Sequence, residues 1–331
     1  MRGIRSYGLL AMFVGAQFVA LALAFPFKSA GLSSTSSSTA NNPFAPLYII
    51  VLIVLAPLGI LWLSRRGGGI SALRILILVG ISASLYLTLG ATFALFVPSF
   101  YLTGPFQAAG AAIPGPFYPP TLLAAIASEA ILLALLLEPQ WYVVDAAGFL
   151  AAGSLIAILG ISFGPLPVFV LLGALMVYDY IAVYRTKHML SLADVVVDMK
   201  LPILLVMPSE PGYDYPNAAP LQARTAAPGA GVERDAMFMG LGDVVIPGVL
   251  VVAAFIWLPA RAILPGLGAN LAVALGTLAG ALVGYAALMR LVNRGNAQAG
   301  LPFLNGGAMA GYLVAYLLFF HNFAFGFGFN L

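Results

Sequence analysis

The sequence predicts an all-α, polytopic membrane protein, and its composition and the spacing of its apolar segments carry that prediction. The 331 residues are 62% apolar and only 8% charged, with a mean hydropathy of +1.04, against roughly 25% charged residues in an ordinary soluble domain. A soluble protein of this length would need far more polar surface to cover its core. The apolar runs are long and uninterrupted, whereas a membrane β-barrel has short segments that alternate in polarity.

Nine apolar stretches of about 20 residues predict nine transmembrane helices. The first stretch follows Arg2 and Arg5 and ends at Phe25-Pro26-Phe27-Lys28, which is a poor cleavage site for a signal peptidase. We therefore expect a retained membrane anchor and not a removed signal peptide. The predicted helices cover residues 7–27, 46–63, 75–97, 121–137, 143–161, 166–184, 236–258, 269–290 and 302–320.

The distribution of basic residues predicts that the N-terminus is cytoplasmic. With that orientation, 12 of the 14 Lys and Arg residues lie on the cytoplasmic side, and only Lys28 and Arg261 lie outside. We expect a multi-pass protein of the cell membrane in three parts. Residues 1–184 hold helices one to six, residues 185–235 form a cytoplasmic loop, and residues 236–331 hold helices seven to nine.

Four of the 11 acidic residues lie within or at the rim of a predicted span: Glu129, Asp145, Asp179 and Asp243. Each carboxylate at the centre of a bilayer costs roughly 2.5 to 3.5 kcal/mol on insertion scales, so each is a candidate functional group. Asp145 fits an acid near a helix start, favoured there by the helix dipole and beside interfacial aromatics. For Glu129 a buried structural role and a place on a polar path are equally compatible with the sequence.

Asp179 and Asp243 are expected at the same depth on adjacent, antiparallel helices. Helix six carries Asp179 near its cytoplasmic end and helix seven carries Asp243 near its cytoplasmic start, roughly 9 to 11 Å inside by helical rise. Two facing carboxyl groups cannot both ionise at low cost, so they would share a proton and titrate as a pair. Such a pair suits aspartic proteolysis, because one group takes a proton from water and the other polarises the peptide carbonyl.

Short motifs surround both acids. Asp179 follows Tyr178, and Asp243 ends the segment Gly240-Leu241-Gly242-Asp243. With 36 Gly and 7 Asp, Gly-x-Gly-Asp is expected by chance only about 0.08 times in this chain. The two glycines would let an extended substrate backbone approach the acid, and a loosened helix start is tolerated in a membrane only around a water-filled cavity.

These motifs resemble those of the presenilin and signal peptide peptidase family of intramembrane aspartyl proteases, in particular a microbial presenilin-like member. That family has nine helices, a Tyr-Asp motif in the sixth, Gly-x-Gly-Asp in the seventh and a Pro-Ala-Leu motif before the ninth. Gln298-Ala299-Gly300-Leu301-Pro302 stands where the family has Gln-Pro-Ala-Leu-Pro, so Leu301 and Pro302 match while Ala299 and Gly300 depart.

The resemblance implies an aspartic endopeptidase of the Gly-x-Gly-Asp type that cleaves single-pass transmembrane proteins or signal peptides within the lipid bilayer. It implies that Asp179 and Asp243 are catalytic. The cytoplasmic N-terminus resembles presenilins, since signal peptide peptidases have the opposite orientation. The residues expected to position the substrate are those of the three motifs: Tyr178, Gly240, Leu241, Gly242, Gly300, Leu301 and Pro302.

Pro302 disfavours helical geometry in the residue before it, so Gly300-Leu301-Pro302 is expected to be unwound just ahead of helix nine. In that case Leu301 would pack against the aspartates and Gly300 would leave room for substrate. The alternative is an ordinary proline in the first turn of a helix.

Three features are expected within the loop 185–235. Residues Met189–Lys200 have the pattern of an amphipathic interfacial helix. Leu201–Pro208 has the pattern of a short apolar strand, which in a presenilin-like protein could pair with an unwound substrate. Residues 210–231 are rich in Pro, Ala and Gly and are expected to be disordered.

Other chemistries lack their residues in this sequence. There is no Cys, and neither of the two His residues lies in an H-E-x-x-H motif, so we expect no metal and no other cofactor. No nucleic-acid partner is expected, and self-association is left open. The alternative function is a proton-coupled secondary transporter, in which the intramembrane carboxyl groups would relay protons.

Overall fold

The structure is a computed structural model that describes residues 2–33, 40–64, 69–96, 119–186, 203–208, 213–215, 236–292 and 298–327. In this part of the chain it contains nine α-helices, one π-helical turn and two small antiparallel sheets. The amphipathic helix expected at Met189–Lys200 lies outside the described residues, as does the segment 210–231 expected to be disordered, except for residues 213–215.

The helices follow the apolar segments of the sequence closely. Seven of those described are long and apolar enough to cross a membrane, and α7 is apolar but has only 17 residues. The α-helices are α1 (Arg2–Ser29), α2 (Leu47–Ser64), α3 (Gly69–Phe96), α4 (Pro119–Leu137), α5 (Trp141–Ser162), α6 (Pro165–Ile181), α7 (Leu241–Trp257), α8 (Ala269–Val292) and α9 (Leu301–Phe320). The strands are β1 (Leu204–Pro208), β2 (Ala236–Gly240), β3 (Ala262–Leu264) and β4 (Leu267–Gly268), and the π-helical turn is Ala182–Thr186.

The prediction that the seventh helix begins at residue 236 is wrong. Residues 236–240 form β2, which pairs antiparallel with β1 from Leu204 opposite Gly240 to Pro208 opposite Ala236. The pairing continues into the helix start, where the Leu241 amide donates to the Ile203 carbonyl at 2.9 Å. The apolar run of β2 fits a strand or a buried helix equally well, and only its partner strand decides between them. The strand expected within 201–208 is confirmed as β1.

Helix α7 lies at the centre of the bundle. Every residue from Val244 to Ala254 is buried, and α1, α5, α6, α8 and α9 all pack against this helix. A helix that is apolar and buried all round belongs to the core of a protein. Asp243 therefore lies in the first turn of the most enclosed helix of the bundle.

Helices α8 and α9 approach each other through glycines. Gly276, Gly280 and Gly284 recur every four residues on α8 and face Gly307 and Gly311 of α9. A methyl group on Gly280 would overlap the backbone of both α9 glycines. Because lipid gives no hydrophobic drive for helix association, close backbone packing of small residues is the main attraction between such helices.

This packing predicts the effect of a single methyl group. Gly280→Ala should lower the free energy of unfolding by about 1 to 3 kcal/mol, as overpacking does in other interiors. Gly80→Ala is the matched control, since a Cβ there meets no atom within 4 Å. Thermal unfolding of the purified variants in detergent measures the difference. Equal midpoints for both variants would contradict the close approach of α8 and α9.

Candidate active site

Asp179 and Asp243 lie at the same end of the bundle. Asp179 is the third residue from the end of α6, Asp243 is the third residue of α7, and the two helices pack directly on each other. The predicted depth for Asp243 is wrong, because α7 begins at Leu241 and two residues of helix span only about 3 Å. The two carboxyl groups nevertheless both lie beside the start of α9, where the Leu301 amide donates to Asp179 and Gly300 borders Asp243.

The carboxyl group of Asp179 is held by the start of α9. The Leu301 amide donates to Oδ2 of Asp179 at 3.0 Å. Asp179 is only 3% exposed. The first amides of an α-helix have no partner within the helix and favour an acceptor with negative charge. Asp179 therefore satisfies the N-terminus of α9, and α9 in turn fixes the orientation of this carboxyl group.

Gly300 brings the second carboxyl group to the same place. A Cβ on Gly300 would lie 3.1 Å from Oδ2 of Asp243 and 3.2 Å from its Cγ and Oδ1. The backbone of Gly300 has ordinary helical angles, φ −78° and ψ −46°, so the position requires glycine for space and not for conformation. The space expected for substrate at Gly300 is thus occupied, at least in part, by the Asp243 side chain.

The prediction that Leu301 and Pro302 are unwound is wrong. Helix α9 begins at Leu301, and Pro302 lies in its first turn, where a missing N–H costs nothing. The segment still borders the two acids, since the Leu301 amide that the helix leaves unpaired is the one that donates to Asp179. The alternative of a first-turn proline is the one the structure shows.

The matching family model is described as "Signal-peptide peptidase, presenilin aspartyl protease" and covers residues 10–321. The chain belongs to this family. Two solved structures of a presenilin family intramembrane aspartate protease, in space groups C222 and P2, are each 32% identical to it. The first has a TM-score of 0.61 and the match covers 95% of this chain and 99% of that chain. The second has a TM-score of 0.58 with 94% and 97% covered. No curated protein matches.

In this presenilin family member, the other motif residues differ in how they meet the acids. Gly240 is the N-cap of α7, and a Cβ there would lie 3.4 Å from Oδ2 of Asp243. Gly242 is exposed and faces open space, which leaves room beside Asp243. Leu241 is buried in the core and Tyr178 is half-buried next to Asp179. Leu241 therefore packs inside the fold, which does not support its predicted role in positioning substrate.

Tyr184 joins the site although the sequence did not indicate it. It lies in the π-helical turn after α6, and its hydroxyl donates to Oε1 of Gln298 at 2.7 Å and accepts from the Ala299 amide at 3.5 Å. Single π-helical turns occur often at functional sites. A tyrosine near a helix end is typical of a membrane interface, so nothing in the sequence separates Tyr184 from an ordinary anchor. In the structure it holds the segment ahead of α9 against α6.

Gln17 of α1 was also missed. It is fully buried, and its Nε2 donates to the carbonyl of Val244, the residue after Asp243, at 3.0 Å. Pro247 cannot donate to the Asp243 carbonyl, so the first turns of α7 lack part of the usual helical hydrogen bonding. Gly248 leaves the space that the Gln17 amide occupies. A lone Gln in an apolar helix is the signal that could have identified this contact.

The two remaining intramembrane acids lie elsewhere. Asp145 is the fifth residue of α5, and the sequence did not indicate that it is only 2% exposed and accepts a hydrogen bond from the Val206 amide of β1. Glu129 is exposed on α4 and accepts a hydrogen bond from the Ser82 hydroxyl at 3.0 Å, so of the two roles left open by the sequence the buried one is not supported. The family match gives no support to the transporter alternative.

Because Gly300 lies against Asp243, we predict that a side chain at position 300 lowers the cleavage rate with little effect on thermal stability. Gly300→Val should displace the Asp243 carboxyl group by several tenths of an ångström or more, and a misplacement of about 1 Å can cost on the order of 100-fold in rate. Gly306→Ala is the control in the same helix, since a Cβ there meets only the Met176 side chain at 3.7 Å. Cleavage rate and thermal midpoint are measured together. Full activity of Gly300→Val would show that the position of Asp243 does not depend on a glycine at residue 300.

Proposed function

We propose that Asp179 and Asp243 are the catalytic pair with which this protein hydrolyses peptide bonds inside transmembrane helices. Intramembrane aspartyl proteolysis is the function of its family. The observation that carries the assignment of the pair is that both carboxyl groups lie at the start of α9, where the Leu301 amide donates to Asp179 and the absence of a Cβ on Gly300 leaves room for Asp243. One carboxylate takes a proton from water as the other acid polarises the scissile carbonyl.

The two acids differ in access. Asp179 is buried and oriented by the Leu301 amide, while Asp243 is partly exposed next to the open space at Gly242. A water molecule and a substrate carbonyl need a route to the pair, and the side of Asp243 that borders Gly240 and Gly242 supplies one. This is a site of the Gly-x-Gly-Asp type, in which the glycines leave room for the substrate backbone.

The β1–β2 sheet supports an extended substrate. The Leu241 to Ile203 hydrogen bond sets the alternation of the ladder, so Val206 and Phe238 face each other as a pair without mutual hydrogen bonds. The N–H and C=O groups of Phe238 therefore point away from β1. An unwound substrate segment could pair there and lead towards Asp243. Unwinding is needed because a helix occupies its peptide groups in internal hydrogen bonds.

The substrates we propose are single-pass transmembrane proteins or signal peptides in the cell membrane. The protein would cross that membrane nine times with its N-terminus in the cytoplasm, which the basic residues support. The candidate active site is built from residues of one chain, so self-association is not required for it. The three parts of the chain, 1–184, 185–235 and 236–331, would supply the first acid, the connecting loop and the second acid.

Isosteric amides test the pair. Asp179→Asn and Asp243→Asn should each lower cleavage of a transmembrane peptide in liposomes by about 10²- to 10⁴-fold, because each removes one half of the acid–base pair. The exposed Asp214 offers a matched carboxyl-to-amide control, Asp214→Asn, which should keep its activity. Product masses and turnover are recorded by mass spectrometry. Turnover near the unmutated rate in either site variant would refute the assignment.

The orientation has its own test in this Cys-free chain. Glu138, between α4 and α5, and Ala260, between α7 and α8, are both exposed and should lie on opposite sides of the membrane. A membrane-impermeant maleimide added outside intact cells should label Ala260→Cys and leave Glu138→Cys unlabelled until the cells are opened. The reverse labelling pattern would show that the protein has the opposite orientation in the membrane.

A further inference from the structure

Asp145 forms a buried contact with β1 that the proposed catalytic pair does not use. Its Oδ1 accepts a hydrogen bond from the Val206 amide at 2.7 Å, and both residues are almost fully buried. Within the described residues, Oδ2 of Asp145 is buried and has no hydrogen-bond partner. If β1 moved away, the whole carboxyl group would be left buried without a donor, which is strongly unfavourable.

The contact discriminates between two positions of the strand. On β1, the backbone polar groups of Leu204, Val206 and Pro208 point away from β2. This follows from the alternation of the ladder, which the Leu241 to Ile203 hydrogen bond sets. A slip that keeps the same faces moves the strand by two residues, or about 6.6 Å. In one direction that slip would place Pro208, which has no N–H, opposite Asp145. The carboxyl group therefore opposes that slip of β1 against α5.

The position of β1 is passed on to the catalytic end of α7. β1 pairs with β2 along its whole length, and β2 ends at Gly240, which is the N-cap of α7 and lies three residues before Asp243. Asp145 thus ties the sheet to α5, while Gly240 ties it to α7. The outer edge of β2, where the proposed function places the substrate strand, is held at a fixed distance from Asp243.

We propose that Asp145 is a positioning residue that holds the β1–β2 sheet in place and thereby determines which peptide bond of the substrate reaches Asp179 and Asp243. The proposal rests on the proposed function. Buried polar groups cost stability, and a role in fixing register is the use of them that is best supported in other proteins. Asp145 acts through Val206 and the sheet and does not itself touch the reacting atoms.

The test compares three substitutions at Asp145 on a transmembrane peptide in liposomes. Asp145→Ala removes the acceptor, and Asp145→Leu does so while filling the space, so that it can fold where the alanine variant does not. Both should raise KM by about tenfold, the loss expected for one hydrogen bond to a charged or polar group, with a smaller effect on kcat. Both should also spread the products over neighbouring bonds. Asp145→Asn keeps an oxygen for the Val206 amide and should restore the original KM and product masses.

Asn270→Ala is the control for a merely structural role. Asn270 is also buried and also makes a 2.7 Å side-chain hydrogen bond to the backbone, at the Phe255 carbonyl near the other end of α7. Its loss should lower the thermal midpoint and leave KM and product masses unchanged.

Unchanged KM and product masses in the Ala or Leu variant would overturn the proposal. Failure of both variants to fold, with rescue by Asn, would also overturn it and assign Asp145 to stability alone. The proposed function fails separately, if the unmutated protein does not cleave the peptide or if Asp243→Asn still does.

Discussion

The N-terminus of α9 and the carboxyl group of Asp179 satisfy each other, and the geometry of the candidate active site depends on this contact. Inside a membrane no water is available to accept a hydrogen bond from a backbone amide, so the first amides of a helix need an acceptor from the protein. A buried carboxyl group needs donors for the same reason. Because the donor is the backbone amide of Leu301, Asp179 is oriented by main-chain geometry and not by another flexible side chain.

The same principle recurs wherever the backbone of this bundle is irregular. Asp145 accepts a hydrogen bond from the Val206 amide, which points away from β2. Gln17 donates to the Val244 carbonyl, where Pro247 interrupts the hydrogen bonding at the start of α7. Each polar side chain thus pairs with a main-chain group close to a break in regular structure. These breaks meet at the end of the bundle where Asp243 lies. An irregular backbone at membrane depth is tolerated only when it is enclosed by protein or lines a cavity, and a peptidase needs such a cavity for water.

The sequence predicted the long elements and the two acids because their signals are local. Apolar runs of about 20 residues allow little besides a helix in a membrane, and a carboxyl group within such a run is costly enough to mark a site. Residues 236–240 were misassigned, since their apolar pattern fits a strand as well as a helix and only pairing with β1 decides. The environment of Asp145 could not be predicted for a related reason. Its burial depends on a strand that lies about 60 residues later in the chain.

The residues around the acids show a second limit on sequence prediction. Gly300 was expected to make room for substrate, but its backbone angles are ordinary and the space is filled by Asp243. Whether a glycine serves conformation or space depends on what surrounds it. Tyr184 has the composition and position of an interfacial anchor, and only its distance to Gln298 shows that it holds the segment before α9.

The packing of α9 explains how the site can be both rigid and open. Its glycines fit against α8, and Asn305 donates to the Leu172 carbonyl of α6 at 3.2 Å, so α9 is fixed to the helices on both sides. The Leu301 amide that orients Asp179 therefore belongs to a helix packed on both sides. Gly240 and Gly242 also flank Asp243 where the backbone changes from strand to helix, and a Cβ on Gly242 would meet no atom within 4 Å. A substrate strand paired with β2, as proposed above, would approach Asp243 from this side, and the position of β2 would then determine which bond is cut.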